Sequence, residues 1–160
     1  MNFELLKQTL RLQAFGWLRI PLIAFVTPSV VELSDQRIEV KIPLTRRSRN
    51  HLKSMYFGAL AVGADCAVGL LAMRLIEERK DPKISLVFKD FQANFLKRPE
   101  GDVHFICEMG PQIRALVEQA ARTGERCNLP LHAIATVPSI SGSEPVATFV
   151  LTLSLKAKKS

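Results

Sequence analysis

The sequence predicts an α+β fold, a curved antiparallel sheet wrapped around one long apolar helix. Three observations carry that expectation. Between Lys53 and Arg74 the only charged residue is Asp65, and the run around it is built largely of Ala, Gly, Val and Leu. A helix that is apolar almost all round is enclosed by the rest of its protein. After residue 83 the chain turns to four stretches of strand character with one helix-like segment among them. Before the apolar run, Ile38, Val40, Ile42 and Leu44 alternate with Glu39, Lys41 and Pro43, the period of a half-buried strand.

The elements follow in order. Over residues 2–14, Phe3, Leu6 and Leu10, with Phe15 just beyond, stand near helical spacing, so an amphipathic first helix is expected. Residues 15–31 are apolar but interrupted by Gly16, Arg19, Pro21 and Pro28, and read as a packed irregular segment. Residues 30–33 and 37–44 make a hairpin across Ser34, Asp35 and Gln36. Residues 45–53 are a polar, basic loop. The central helix is expected over 54–79, closing on Glu77, Glu78, Arg79 and Lys80, with Pro82 as a stop signal. Strands are expected over 84–97 and 102–109, with a turn at Pro99, Glu100 and Gly101. Pro111 suits the first position of a helix over 111–123 and Gly124 its C-terminal cap. Strands over 127–137 and 146–155 close the chain. The expected organisation is one domain over 1–160, an N-terminal part of 1–27 leading into a core of 28–156.

Composition narrows the function. With 160 residues, 48% apolar and 23% charged, the chain can bury a core and is too apolar for disorder. The net charge of +7 is concentrated at Arg46, Arg47, Arg49 and Lys53, and at Lys156, Lys158 and Lys159, which favours anionic partners. Nucleic acid is not expected among them. The charges do not repeat along a face, aromatics are few, and no zinc-finger or helix-turn-helix signature is present. Cys66, Cys107 and Cys127 are widely spaced without metal-ligand spacing, so reduced buried thiols and a cytoplasmic location are expected. Neither a metal nor a cofactor is expected. The first residues lack a basic-then-apolar signal pattern. The 54–73 run is long enough to cross a bilayer. Its central Asp costs roughly 2.5–3.5 kcal/mol on insertion, and strand-like segments follow, so no membrane span is expected.

Asp65 is the first candidate for chemistry. An isolated carboxylate in an apolar run is solvated, paired or protonated, because burying a bare charge is costly. Carboxylates perturbed in this way cluster at functional sites. No nucleophile elbow, phosphate loop or metal-ligand cluster competes with it. His104 and His132 lie in alternating strands and read as structural.

The stretch from Asn50 to Asp65 resembles the signature of hotdog-fold acyl-CoA thioesterases of the phenylacetate-degradation type. That signature is an Asn, then His-Gly-Gly opening the central helix, then an Asp seven residues past the second Gly. Asn50, Gly58 and Asp65 fall on those spacings. Tyr56 stands where the family has its His, and Phe57 where it has the first Gly. Residues 95–102 resemble the family's turn after its second long strand. The resemblance covers roughly residues 28–156. It implies the hotdog fold and metal-free hydrolysis of acyl-CoA or acyl-carrier-protein thioesters. Asp65 would be the base or nucleophile, the backbone N–H groups of Phe57 and Gly58 the oxyanion donors, and Asn50 an orienter. Tyr56, Phe57, His51 and Arg49 are the candidate substrate contacts, Arg49 through the CoA phosphates.

Helix geometry adds a condition. Positions 58 and 65 share a face but lie ~10 Å apart along the axis, whereas base and donors must meet at one reacting centre. Two antiparallel helices of a two-fold dimer satisfy this, Asp65 of one facing Gly58 of the other. Gly58, Ala61, Gly69 and Ala72 keep that face small. A homodimer or dimer of dimers with the site at the interface is therefore expected. The alternative is a non-catalytic acyl-thioester or lipid-binding hotdog protein, with Tyr56 and Phe57 in place of the turnover machinery. A hydratase ranks last, because only His51 lies near the helix start.

Overall fold

The computed structural model describes residues 3–79 and 83–157. Lys80 and Pro82, expected at the end of the central helix, and Lys158 and Lys159 of the basic tail lie outside the described residues. Helix α1 (Phe3–Arg19) is longer than expected and is followed by the short α2 (Pro21–Phe25). Gly16 does not break α1. It is a point of close approach, where a Cβ would lie 2.7 Å from the backbone N of Ala24. Pro21 occupies the first turn of α2, where a missing N–H is tolerated. The interrupted segment of the sequence is thus a helical corner, its Gly and Pro marking contact and start rather than irregularity.

Strands β1 (Ser29–Leu33) and β2 (Ile38–Ile42) form the expected hairpin. The Ser34 hydroxyl accepts from the N–H of Arg37 and Gln36 and closes the turn. Helix α3 (Phe57–Arg79) begins three residues later than expected. The N–H of Met55 is held by the Pro99 carbonyl and that of Tyr56 by the Ser48 carbonyl, so this backbone belongs to the loop. Strands β3 (Ile84–Phe95) and β4 (Val103–Cys107), helix α4 (Gly110–Thr123) and strand β5 (Cys127–Thr136) follow. Gly124 caps α4 with φ +70. The expected loop before the last strand holds a short helix α5 (Pro138–Ser141), and β6 (Pro145–Ala157) closes the sheet.

All five strand pairs are antiparallel, and the sheet order is β1-β2-β4-β5-β6-β3. The sheet wraps α3, which packs on β2, β4, β5 and α4. This is the hotdog arrangement. Among the described residues α3 is the helix long and apolar enough to cross a membrane, yet 67% of its most apolar stretch is buried within the chain. It is the core helix.

Gly63 sets how closely α3 lies on the sheet. A Cβ there would run into the ring of Phe105, which is fully buried and packs beside Phe149. At Gly69 the nearest atom to a Cβ is 3.8 Å away. Alanine gains up to ~1 kcal/mol in helix propensity at either position. Overpacking a core costs about 1–3 kcal/mol. Gly63→Ala is therefore expected to lower stability by about 1 kcal/mol net, and Gly69→Ala to raise it slightly. Denaturant unfolding of the two variants checks this, and equal effects at the two positions would disprove the packing argument.

The two sheet edges differ. At β1 the Val30 N–H donates to the Thr9 hydroxyl, and Gln13 donates to the Pro28 carbonyl, so α1 covers that edge. Strand β3 is twelve residues long and, among the described residues, pairs only with β6. Val87, Phe91 and Phe95 on it are exposed.

Candidate active site

The candidate residues fall into two halves within one chain, lining separate pockets. The first is the start of α3. Tyr56 accepts from the Leu60 N–H and stands as the helix cap. Among the described residues the N–H groups of Phe57 and Gly58 have no hydrogen-bond partner, as expected of a helix's first turn. They and the helix dipole make a ready site for developing negative charge. The loop that leads there is held by Asn50. Its Oδ1 accepts from the N–H groups of Leu52 and Ser54, and its amide N–H donates to the Ser54 hydroxyl. Lys53 completes the loop with φ +63, a conformation unfavourable for a side chain. Such strain gathers at functional sites.

Asn50, His51, Tyr56 and Phe57 line one depression of about 400 Å³. Of the other predicted residues, Gly58 lies beneath the Tyr56 ring, 2.5 Å from it at the Cβ position. Arg49 is exposed and bridges backbone to Met55, and it does not line the depression. The depression also contains Phe95, Lys97 and Arg98, which sequence reasoning missed. Phe95 meets the Phe57 ring at 6.5 Å, and Phe57 meets Tyr56 at 4.7 Å. The missed signal was the turn at 95–102, whose Pro99 carbonyl ties the two loops together.

The second half is Asp65, which is not in that depression. It opens into a separate cavity of about 480 Å³ whose walls include Leu12, Phe15 and Ile23 of the N-terminal helices and Leu86 and Phe88 of β3. Among the described residues Asp65 has no hydrogen bond and no ion pair. Burial pushes its pKa up from the ordinary 3.8, because the apolar wall penalises the charged form. Its Oδ1 lies 3.8 Å from where a Cβ on Gly69 would be, so the glycine leaves room beside the carboxylate. Of the three expected cases, solvated, paired or protonated, the structure removes pairing among the described residues, and the raised pKa favours the protonated form. That cavity was not legible in the sequence, because α1 and β3 supply its walls from far along the chain.

The small-residue face of α3 divides in two. Gly69 and Ala72 are buried by the chain itself, whereas Gly58 and Ala61 are only half-buried. Cys66, beside Asp65, is buried, and desolvation with the neighbouring carboxylate pushes its thiol pKa far up. Burial also raises Cys107. Neither is a thiolate nucleophile. The three cysteines are buried and unpaired. Among the described residues no group of three or more His, Cys, Asp and Glu side chains stands together as a metal site. His104 meets Glu39 through Nδ1 at 2.6 Å across β4 and β2, a cross-strand pair away from both halves.

Comparisons with known proteins bear on the family and the fold. A family profile described as "Domain of unknown function (DUF4442)" matches residues 9–150. No curated protein matches the chain. Several solved structures share its fold. A Pseudomonas aeruginosa protein of unknown function, described as a "Probable Thioesterase", superposes with a TM-score of 0.77 at 20% identity, over 94% of this chain and 96% of its own. A second Pseudomonas aeruginosa protein, a mutant thioesterase, gives 0.69 at 13% identity over 94% of each chain. A Haemophilus influenzae thioesterase gives 0.64 at 13% identity, over 91% of this chain and 90% of its own.

Proposed function

Since this chain belongs to the DUF4442 domain family and has the hotdog fold, we propose that it is a thioesterase, hydrolysing acyl-CoA or acyl-carrier-protein thioesters. The observation that carries this reading is Asp65, an unpartnered carboxylate with a raised pKa in an apolar cavity. The hydrolysis needs a base for water and donors for the oxyanion. Asp65 supplies the first, as general base or direct nucleophile. The N–H groups of Phe57 and Gly58 supply the second. Asn50 acts as a positioning residue that shapes the loop before those donors. His51, Tyr56 and Phe57 contact the substrate in the depression, and Arg49 reaches its phosphates from the rim.

The two halves occupy different pockets of one chain, so the proposed site is composite. A second copy brings its Asp65 to the first copy's helix start. The free β3 edge supports such a pairing, because a long, exposed, apolar edge strand invites another strand. A homodimer, or a dimer of dimers, is the proposed assembly. The match to the phenylacetate-degradation signature at Asn50, Gly58 and Asp65 supports that branch of the thioesterases. The buried unpaired thiols support a reducing cytoplasm.

The second reading is a non-catalytic acyl-thioester binder. It is favoured by the exposed Tyr56 and Phe57 rings at the helix start, with Tyr56 lying over Gly58. A panel of acyl-CoA thioesters of increasing chain length, offered to the wild type and Asp65→Asn, separates the two. Turnover by the wild type that collapses in the variant supports the enzyme. Tight binding without turnover by either protein supports the binder.

A further inference from the structure

The site uses only the inner face of the N-terminal helices. Leu12 and Gly16 of α1 are buried against the body of the fold. Of the stripe that made α1 look amphipathic in sequence, Phe3, Leu6 and Leu10 face solvent, while Phe15 turns inward to wall the Asp65 cavity. The outward part continues through Trp17 (71% exposed) and Leu18 (81% exposed) to Leu22 and Phe25 of α2. Large apolar patches on a protein surface mark interaction sites.

The charge around this face is predominantly positive. Residues 3–28 and 43–56 carry Lys7, Arg11, Arg19, Arg46, Arg47, Arg49 and Lys53 against a single acid, Glu4. The Arg47 guanidinium lies over the Phe25 ring, 5.7 Å from its centroid, which joins the basic loop to the apolar helices. Elsewhere Arg37, Arg74, Arg79, Arg98 and Arg114 each meet a carboxylate, and of the rest Arg126 donates to the Ser154 hydroxyl and Arg122 has no ion pair among the described residues. Among the described residues Arg19, Arg46, Arg47 and Arg49 form no ion pair.

Apolar anchors beside unpaired cations select the occupant. A second copy meeting this face two-fold would bring the same cations against one another, which is repulsive. An anionic lipid surface answers both features. Its acyl boundary takes Trp, Leu and Phe, and its headgroup phosphates take Arg. We propose that the α1–α2 face docks on an anionic membrane surface, lying in the interface without spanning it. The proposal does not depend on the hydrolytic reading, although the inner face of the same helices walls the cavity of Asp65.

Trp17 is the sole tryptophan, so its fluorescence reports the docked face directly. The experiment adds the full chain to phosphatidylcholine vesicles with and without phosphatidylglycerol, including brominated acyl chains as quenchers. Docking predicts a blue shift, quenching and cosedimentation with the anionic vesicles, all weakened by salt. Each basic residue near an anionic leaflet contributes roughly fivefold, so Arg19→Glu with Arg46→Glu should reduce partitioning at least ~20-fold. Leu18→Glu with Leu22→Glu should abolish the quenching, and thermal melts confirm that both variants fold. Absence of binding to the anionic vesicles overturns the proposal, as does binding indifferent to the arginine reversals. A blue shift without lipid that grows with protein concentration would assign the face to a second copy instead.

Discussion

Asp65→Asn is expected to lower kcat/KM for thioester hydrolysis by about 10²–10⁴-fold, the usual contribution of a positioned general base, and to raise the melting temperature at neutral pH. Both effects come from one cause. Burial raises the folded-state pKa of Asp65 above the 3.8 of an exposed carboxyl. The folded state therefore favours the protonated form. The stability associated with that form is fully present below pH 3.8 and is lost as pH rises through the folded-state value. At neutral pH the ionised carboxylate destabilises the fold, and a neutral Asn removes that cost. The advantage of the variant should fade as pH falls toward 3.8. Activity runs the other way, because a base must be ionised. The acidic limb of kcat/KM should lie above the ordinary carboxylate range. Thermal melts and rate profiles across pH measure both. A variant that melts lower at neutral pH would mean that Asp65 is stabilised by a partner in solution. Undiminished turnover would remove Asp65 from the mechanism.

Phe57→Pro should lower kcat by about 10²–10³-fold, the measured range for loss of one oxyanion donor, with little loss of stability. Phe57 is the first residue of α3, a position where proline is accommodated because its N–H has no helical partner. The substitution removes the N–H and the ring together, so Phe57→Ala is the control. Alanine retains the donor and should alter KM more than kcat. If both variants lose activity equally, the ring and not the N–H is what matters. The pair also tests the composite site. Mixing the inactive Asp65→Asn and Phe57→Pro chains and refolding them together should restore about a quarter of wild-type activity, since half the dimers are mixed and each holds one intact site. No recovery would place both groups' roles in one subunit, or outside the site.

Several features of this fold were legible locally. The alternation of Ile38, Val40 and Ile42 gave a strand whose apolar residues are buried. Pro111 and Gly124 bracketed a helix that runs from Gly110 to Thr123. The start of α3 was less legible, because Met55 and Tyr56 give their N–H groups to carbonyls at Pro99 and Ser48. Those partners lie outside any local window. Gly16 misled for the same reason. Its small size serves a contact with Ala24, which local reading takes for a break.

Local sequence was not enough for the short helices α2 and α5, but it was enough to place the strands, the long helices and the enclosed central helix, and to single out Asp65. Each depends on neighbours within a turn or two, through periodicity, capping and the isolation of one charge. Long-range packing was needed to set Asp65 in a cavity apart from the Asn50–Phe57 depression, and to turn Phe3, Leu6 and Leu10 outward and Leu12 inward. A helix apolar on both sides carries no local instruction about which side to bury. The packing of α1 on β1 and α2, through Thr9, Gln13 and Gly16, makes that choice.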